Sequence, residues 1–350
     1  KLILINLSKK VYILSPLKVT LQPILCPSLT LNEAIEALEK AVDVALARPD
    51  GKGKPNAGEA LNKLAINGRL VNLIKDGKRE TDEEKNARHL GYFKSFWEKV
   101  DAGAETNRFA LQMARLHLGA VKADDAAFQE GVKRAEDTIV REAAYAHAQK
   151  KLNPEVSKTI NYVVNAKIEK ESLGLDAIKA YVGTLSSKIA KDDKSTQASL
   201  AMEVLSALST ERDKYVGDDT KKTELAAVDS QIEEALGTLS RDYKPAELTN
   251  DICYTIGEYL RGRAPLDSGD QDAINRAVER AFPYYREAIK RGGDMIAENK
   301  CGLADALAVT GNKAQIDEAN KLYEEVEKSG GDFQIVNRAR LGSANSLLLA

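Results

Sequence analysis

Two stretches near the end of this 350-residue chain repeat one another at a fixed spacing. Ala281, Tyr285, Glu287, Lys290, Gly292, Gly293 and Asp294 return 38 positions later as Ala319, Tyr323, Glu325, Lys328, Gly330, Gly331 and Asp332. At the same shift Leu303 and Ala306 are expected to correspond to Leu341 and Ala344. A period of this length constrains the fold more than composition does. Each repeat is one supersecondary unit that cannot bury its apolar side alone, so neighbours must stack. Gly-Gly is expected to supply the left-handed residue that ends a helix, and the Asp to cap the next one. Gly302, Ala304, Ala306 and Ala308 are small enough for close helix approach. Tyr285 and Tyr323 would fill the space between successive pairs, and Gly311 would close the first helix of its pair. Pro283 falls inside the long helix expected through Ile274, Ala277, Ala281, Tyr285 and Ala288. It removes the bond to the Glu279 carbonyl and should kink that helix.

Upstream the same helical spacing continues without the repeat signature. Thr30-Leu31-Asn32-Glu33 and Thr81-Asp82-Glu83-Glu84 both have the form of a capping box. Ile35, Leu38, Val42 and Leu46 follow the first until Pro49. A second helix is expected through Leu61, Leu64, Leu70 and Leu73, ending near Gly77. The helix after the second box carries Tyr92, Phe93, Phe96 and Trp97, read as a core anchor. Phe109, Met113, Leu116 and Ala120 mark a further helix, and Phe128, Val132, Ala135 and Ile139 the next. Asn153-Pro154 restarts the chain as an N-cap followed by a proline at the first helical position. Ile160, Ile178, Leu200, Val228 and Ile252 each begin or continue further apolar series at the 3.6-residue period.

The first 29 residues are different. Leu17, Val19 and Leu21 alternate with Lys18, Thr20 and Gln22, a period of two, and Pro16, Pro23 and Pro27 bracket them. One or two strands are expected there, paired within the arm or added to a neighbouring molecule, since buried backbone groups need partners. The fold class is therefore all-α, an antiparallel helix-pair array with a short N-terminal extended arm. Three segments are expected: an arm over 1–29, an irregular helical-hairpin array over 30–247, and regular repeats over 248–350.

Leu303, Ala304, Leu307, Gly311, Ala319, Leu322 and Tyr323 give the last segment a pattern that resembles the tetratricopeptide-repeat family. Small residues sit on the first helix of a hairpin, and an Ala and an aromatic on the second. The resemblance covers residues 248–350 well and 106–140 loosely. It departs from the family in its longer period, in the extra loop at 265–269 and in Pro283. It implies an α-solenoid whose inner helices bind a peptide or a partner helix.

Charge and chemistry narrow the function further. Lys and Arg number 51 against 53 Asp and Glu, a net charge of −2. Proteins that grip phosphate backbones carry a basic excess or a basic face, so nucleic acid is not an expected partner. No run reaches the ~20 apolar residues of a membrane-spanning helix. Cys26, Cys253 and Cys301 are an odd number with no C-x-x-C, and are expected as small buried hydrophobes rather than a disulfide framework or zinc site. His89, His117 and His147 lack zinc-ligand spacing. There is no H-E-x-x-H, G-x-S-x-G, P-loop or G-x-G-x-x-G. Asp124-Asp125, Asp192-Asp193 and Asp218-Asp219 precede helices, where negative charge is favourable in itself. The chain does not begin with Met, so removal of a leader and export is one expectation and a cytoplasmic location the other. Asn6-Leu7-Ser8 fits the glycosylation acceptor and matters only in the first case.

No catalytic, cofactor or metal site is expected. The expected function is a non-catalytic scaffold for protein partners, other copies of the chain among them. Head-to-tail polymers would form through the arm and an uncapped last helix. A monomeric peptide-binding adaptor and an enzyme on a helical scaffold are the alternatives. The partner-binding candidates are Leu17, Val19 and Leu21 in the arm, Asn299, Lys300, Asn337, Arg338 and Arg340 on inner helices, and Leu347 and Leu348 in the last helix.

Overall fold

The computed structural model describes residues 3–7, 10–14, 35–36, 39, 57–67, 73–75, 78–101, 109–266, 269–329 and 332–349. Leu17, Val19, Leu21, Cys26, the capping box expected at residues 30–33, Leu70 and the second Gly-Gly pair lie outside them. The protein is all-α, built of antiparallel helix pairs, with a short β-hairpin at its start. Strands β1 (Ile3–Leu7) and β2 (Lys10–Leu14) pair antiparallel with each other, Ile5 opposite Tyr12. Two compact units divide the chain, Lys1–Thr138 and Ile139–Ala350.

The first unit holds α1 (Ala57–Asn67), the two-residue strands β3 (Ile74–Lys75) and β4 (Lys78–Arg79), α2 (Asp82–Asp101), α3 (Ala110–Ala120) and the start of α4 (Asp125–Ala148). The helix expected to run on to Gly77 therefore ends at Asn67. Ile74-Lys75 pairs with Lys78-Arg79 instead, around an Asp76-Gly77 sequence of the type that two-residue hairpins favour. Leu73 is tied to this hairpin: its N–H donates to Glu80 Oε2 at 2.9 Å and its carbonyl accepts from Glu80 N–H at 2.7 Å. The second capping box is present, with Thr81 N–H on Glu84 Oε2 at 2.8 Å and Glu84 N–H on Thr81 Oγ1 at 3.2 Å. Tyr92, Phe93, Phe96 and Trp97 are all buried. Phe93 stacks on His117 at 4.9 Å, and Trp97 Nε1–H donates to His117 Nδ1 at 3.3 Å. His117 thus accepts at Nδ1, and burial lowers its pKa.

The second unit is a row of helix pairs. Its elements are α5 (Pro154–Glu171), α6 (Leu175–Ser187), α7 (Lys194–Asp213), α8 (Lys222–Asp242), α9 (Asn250–Gly262), α10 (Gln271–Glu279), α11 (Phe282–Arg291), α12 (Ile296–Ala308), α13 (Lys313–Ser329) and α14 (Phe333–Leu349). The first helices of successive pairs, α5, α7, α9, α12 and α14, pack side by side in that order. Caps set the breaks between them. Asn153 Oδ1 accepts from Glu155 N–H with Pro154 at the first helical position, Asp193 Oδ1 from Thr196 N–H, and Asp218 Oδ1 from Thr220 N–H. A continuous core runs through the unit from Ala198 and Leu205 to Tyr323 and Ala339.

Three expectations for the second unit are corrected. Pro283 does not kink one long helix: it ends α10 at Glu279 and occupies the first turn of α11, where no N–H is required. Gly292 and Gly293 adopt φ of +75° and +87° as expected, but Asp294 does not cap the next helix. Met295, at φ +63°, stands at that N-cap, and its carbonyl accepts from Asn299 Nδ2 at 2.7 Å. In the later repeat Asp332 does cap α14, accepting from Gln334 N–H at 2.8 Å.

The third concerns the register of the first helices. Leu303 is 2% exposed, whereas Leu341 is 67% exposed. The residues that meet the repeat tyrosines are Gly302 and Gly342, so the first helices correspond 40 positions apart, although the second helices keep 38. Tyr285 and Tyr323 are both buried. Tyr285 is wedged between Gly257 and Gly302, where an added Cβ would come within 3.0 Å of its ring.

Candidate partner-binding face

The first helices of the second unit bring together side chains that are remote in sequence. Arg338, on α14, donates through Nε and Nη2 to Asp305 Oδ2 of α12 at 3.0 and 2.6 Å. It reaches further to α9, donating through Nη1 to the Tyr254 hydroxyl at 2.7 Å and through Nη2 to Glu258 at 3.1 Å. The tyrosines of the second helices close the network from behind. Tyr285 Oη–H donates to Glu258 Oε1 at 2.8 Å, and Tyr323 Oη–H to Asp305 Oδ1 at 2.6 Å. Arg261 adds a further bond to Glu258 Oε2 at 2.9 Å.

Arg338 therefore spans three adjacent first helices, α9, α12 and α14, on one face of the second unit.

Charges on the face are mutually compensated. Burial alone would raise the Glu258 pKa, but the Arg261 hydrogen bond and the charges of Arg261 and Arg338 outweigh it and hold the carboxyl below the usual range. Burial would weaken the Arg338 charge; Asp305 and Glu258 reverse that and hold the guanidinium firmly protonated.

Two pockets open beside this network. One, of about 380 Å³, lies among α7, α8 and α9 and is lined by Ile232, Tyr254, Glu258, Tyr259 and the paired arginines Arg212 and Arg263. Asp229 binds both arginines at 2.8 Å. The other, of about 240 Å³, lies among α5, α7 and α9 and contains Glu203 and Asp251. Thr255 and Tyr259 border both, so the pockets adjoin.

The candidates named from sequence separate here. Arg338 is the centre of the network. Asn299 is fully buried, and its amide spans the Met295 and Asn250 carbonyls at 2.7 and 3.4 Å. Lys300 turns to the second helix, bonding Glu325 on α13 at 2.7 Å, and Arg340 does likewise toward Glu327 at 3.5 Å. Asn337 is half-buried on α14. The backbone of Leu347 and Leu348 is helical. Sequence reasoning missed Tyr254, Glu258, Tyr259, Asp305 and Glu203. Only the i, i+4 spacing of Tyr254 with Glu258 hinted that they share a face.

Among the described residues no group of three or more His, Cys, Asp and Glu could hold a metal ion, and no helix is long and apolar enough to cross a membrane. Asp124, Asp193 and Asp218 serve as helix caps. Cys253 and Cys301 are buried, and burial pushes both thiols up to about 12.

No protein-family model and no curated protein matches the chain. Among solved structures it is similar to a circular tandem repeat protein with novel repeat topology and enhanced subunit contact surfaces, at 13% identity over 91% of this chain and 70% of that one, with a TM-score of 0.24. It is also similar to a structure from the computational design of self-assembling cyclic protein homooligomers, at 13% identity over 91% of each chain, with a TM-score of 0.16.

Proposed function

We propose that this chain is a non-catalytic scaffold of tetratricopeptide-like helix pairs that binds a segment of a partner protein along the inner face of residues 139–350. One observation carries the reading: two adjoining pockets and the Arg338 network lie together on one face of the row of first helices, taken in this reading as the inner face. Tyr254 and Tyr259 offer rigid aromatic area there, and the surrounding polar groups can fix the register of a peptide. In this reading residues 1–29, 30–247 and 248–350 act as arm, irregular array and regular repeat.

A selection from a random-sequence peptide display library tests it. Selected peptides should perturb the Ile232 and Ile252 methyl resonances and lose at least tenfold in affinity on Tyr259→Ala. Peptides that bind at full strength to that variant and leave both methyls unmoved refute the inner face as the site.

Self-association is the second reading, favoured by α14. Phe333 is 75% exposed and Leu341 67% exposed, eight residues apart along one side of the helix. Among the described residues the β1–β2 hairpin is a two-stranded sheet, whose strands offer outer edges that a neighbouring copy can extend. Light scattering of the whole chain, of a Phe333→Glu/Leu341→Glu variant and of a chain lacking residues 1–29 decides it. Polymers that persist in both variants, or a chain that is monomeric at high concentration, rule it out.

A further inference from the structure

The smaller pocket is under-occupied by the protein's own donors. Glu203 is only 8% exposed, yet both its oxygens share a single donor, Asn161 Nδ2, at 3.2 Å each. A carboxylate offers about four acceptor sites, so most of its capacity is open. Asp251, which lines the same 240 Å³ space, has a buried Oδ1 with no hydrogen-bond donor. A buried acceptor left without a donor is costly, and more so when it is charged. The one basic side chain lining the space, Lys158, turns to Glu155, with Nζ to Oε1 at 2.9 Å. Met202 and Ile252 complete the wall with apolar surface.

From these features we propose that the pocket between α5, α7 and α9 binds a primary ammonium on an alkyl stem, the side chain of a lysine in the partner segment. The proposal rests on the partner-binding reading above, which supplies the protein that would carry the lysine. Two features favour an ammonium over a guanidinium. Asn161 Nδ2 already sits against both oxygens of Glu203, and Asp251 offers one unpaired buried oxygen, so the open acceptors stand singly and not as the free pair of oxygens on one carboxylate that a guanidinium fork matches. An ammonium has three donors that radiate and can meet separate acceptors. The methylene stem would lie along Met202 and Ile252 while the charged head takes the carboxylates. Burial pushes the Glu203 carboxyl up to about 7, opposed only by the Asn161 hydrogen bond. An incoming cation supplies the counter-charge that the site lacks.

The experiment titrates n-butylammonium into the full chain at pH 8 and follows the Met202 and Ile252 methyl resonances. n-Butanol serves as the neutral control, and n-butylguanidinium as the competing cation. The expected result is a saturable shift of both methyls with the ammonium, weaker with the guanidinium and absent with butanol. Glu203→Gln and Asp251→Asn, each near-isosteric, should weaken the ammonium at least tenfold with the thermal midpoint not lowered. Butanol or the guanidinium matching the ammonium overturns the proposal, as does a titration unchanged in both variants. The outcome separates from that of the peptide selection. If peptides bind across α9 but the ammonium does not saturate, this pocket fails and the inner face stands. If the ammonium binds while peptides settle elsewhere, the pocket stands and the inner-face reading fails.

Discussion

A methyl group added to Gly257 would lie 2.6 Å from both Cε1 and Cζ of Tyr285. The first helix of one pair and the second helix of the same pair are therefore spaced by an aromatic ring pressed on bare backbone. Gly302, from the following pair, meets the same ring from its other side, closer still.

Gly257→Ala and Gly302→Ala should each destabilise the protein by about 1–3 kcal/mol, since the ring has no free space to move into. Gly237, inside α8 with nothing near its Cβ position, is the control: Gly237→Ala should stabilise by about 0.5–1 kcal/mol. Urea unfolding midpoints check both signs.

Arg338→Met should cost about 2 kcal/mol, because Asp305, Glu258 and the Tyr254 hydroxyl lose a charged donor together while remaining partly buried. Arg338→Lys should recover only part of it, an ammonium being unable to reproduce the fork that binds Asp305 twice. Thermal denaturation of the three proteins ranks them.

Glu203 gives a pH dependence whose sign follows from its raised pKa. The folded value is about 7 against an ordinary 4.5, so between those pH values the folded state binds more protons than the unfolded one. Stability should therefore fall as pH rises from about 4.5 to about 7. Glu203→Gln should lose that contribution and be more stable than the parent at pH 8, with the gap narrowing toward pH 4.5. Urea midpoints at pH 5 and pH 8 give the comparison.

Cys253 and Cys301, both buried with thiols pushed up to about 12, should resist alkylation at pH 8 until the second unit opens. Iodoacetamide labelling followed by peptide mass spectrometry should find both unmodified in the native protein and both modified in urea.

Much of the fold could be read from local signals. Asn153-Pro154, Thr81 with Glu84, and Gly292-Gly293 act within a few residues, so their geometry follows from their neighbours. The 38-residue match worked for Tyr285 and Tyr323 because both sit on second helices. It failed for Leu303 and Leu341 because α14 starts directly after Asp332, whereas Met295 intervenes before α12, and the glycine that meets the tyrosine falls nearly a turn later in α14. The inner-face network was illegible for a different reason. Arg338 and Tyr254 are 84 positions apart, and only the side-by-side packing of α9, α12 and α14 brings them within bonding distance. Glu203 and Asp251 carry no spacing that marks them out, since the pocket they share is made by three helices.

Repeat arrays held only by contacts between adjacent units peel apart stepwise from their ends. Arg338 departs from that scheme by linking α14 to α9 across the intervening α12. Opening of α14 would withdraw a counter-ion from Glu258, two layers away. These three layers should therefore melt as one cooperative block, with matched hydrogen-exchange protection across α9, α12 and α14.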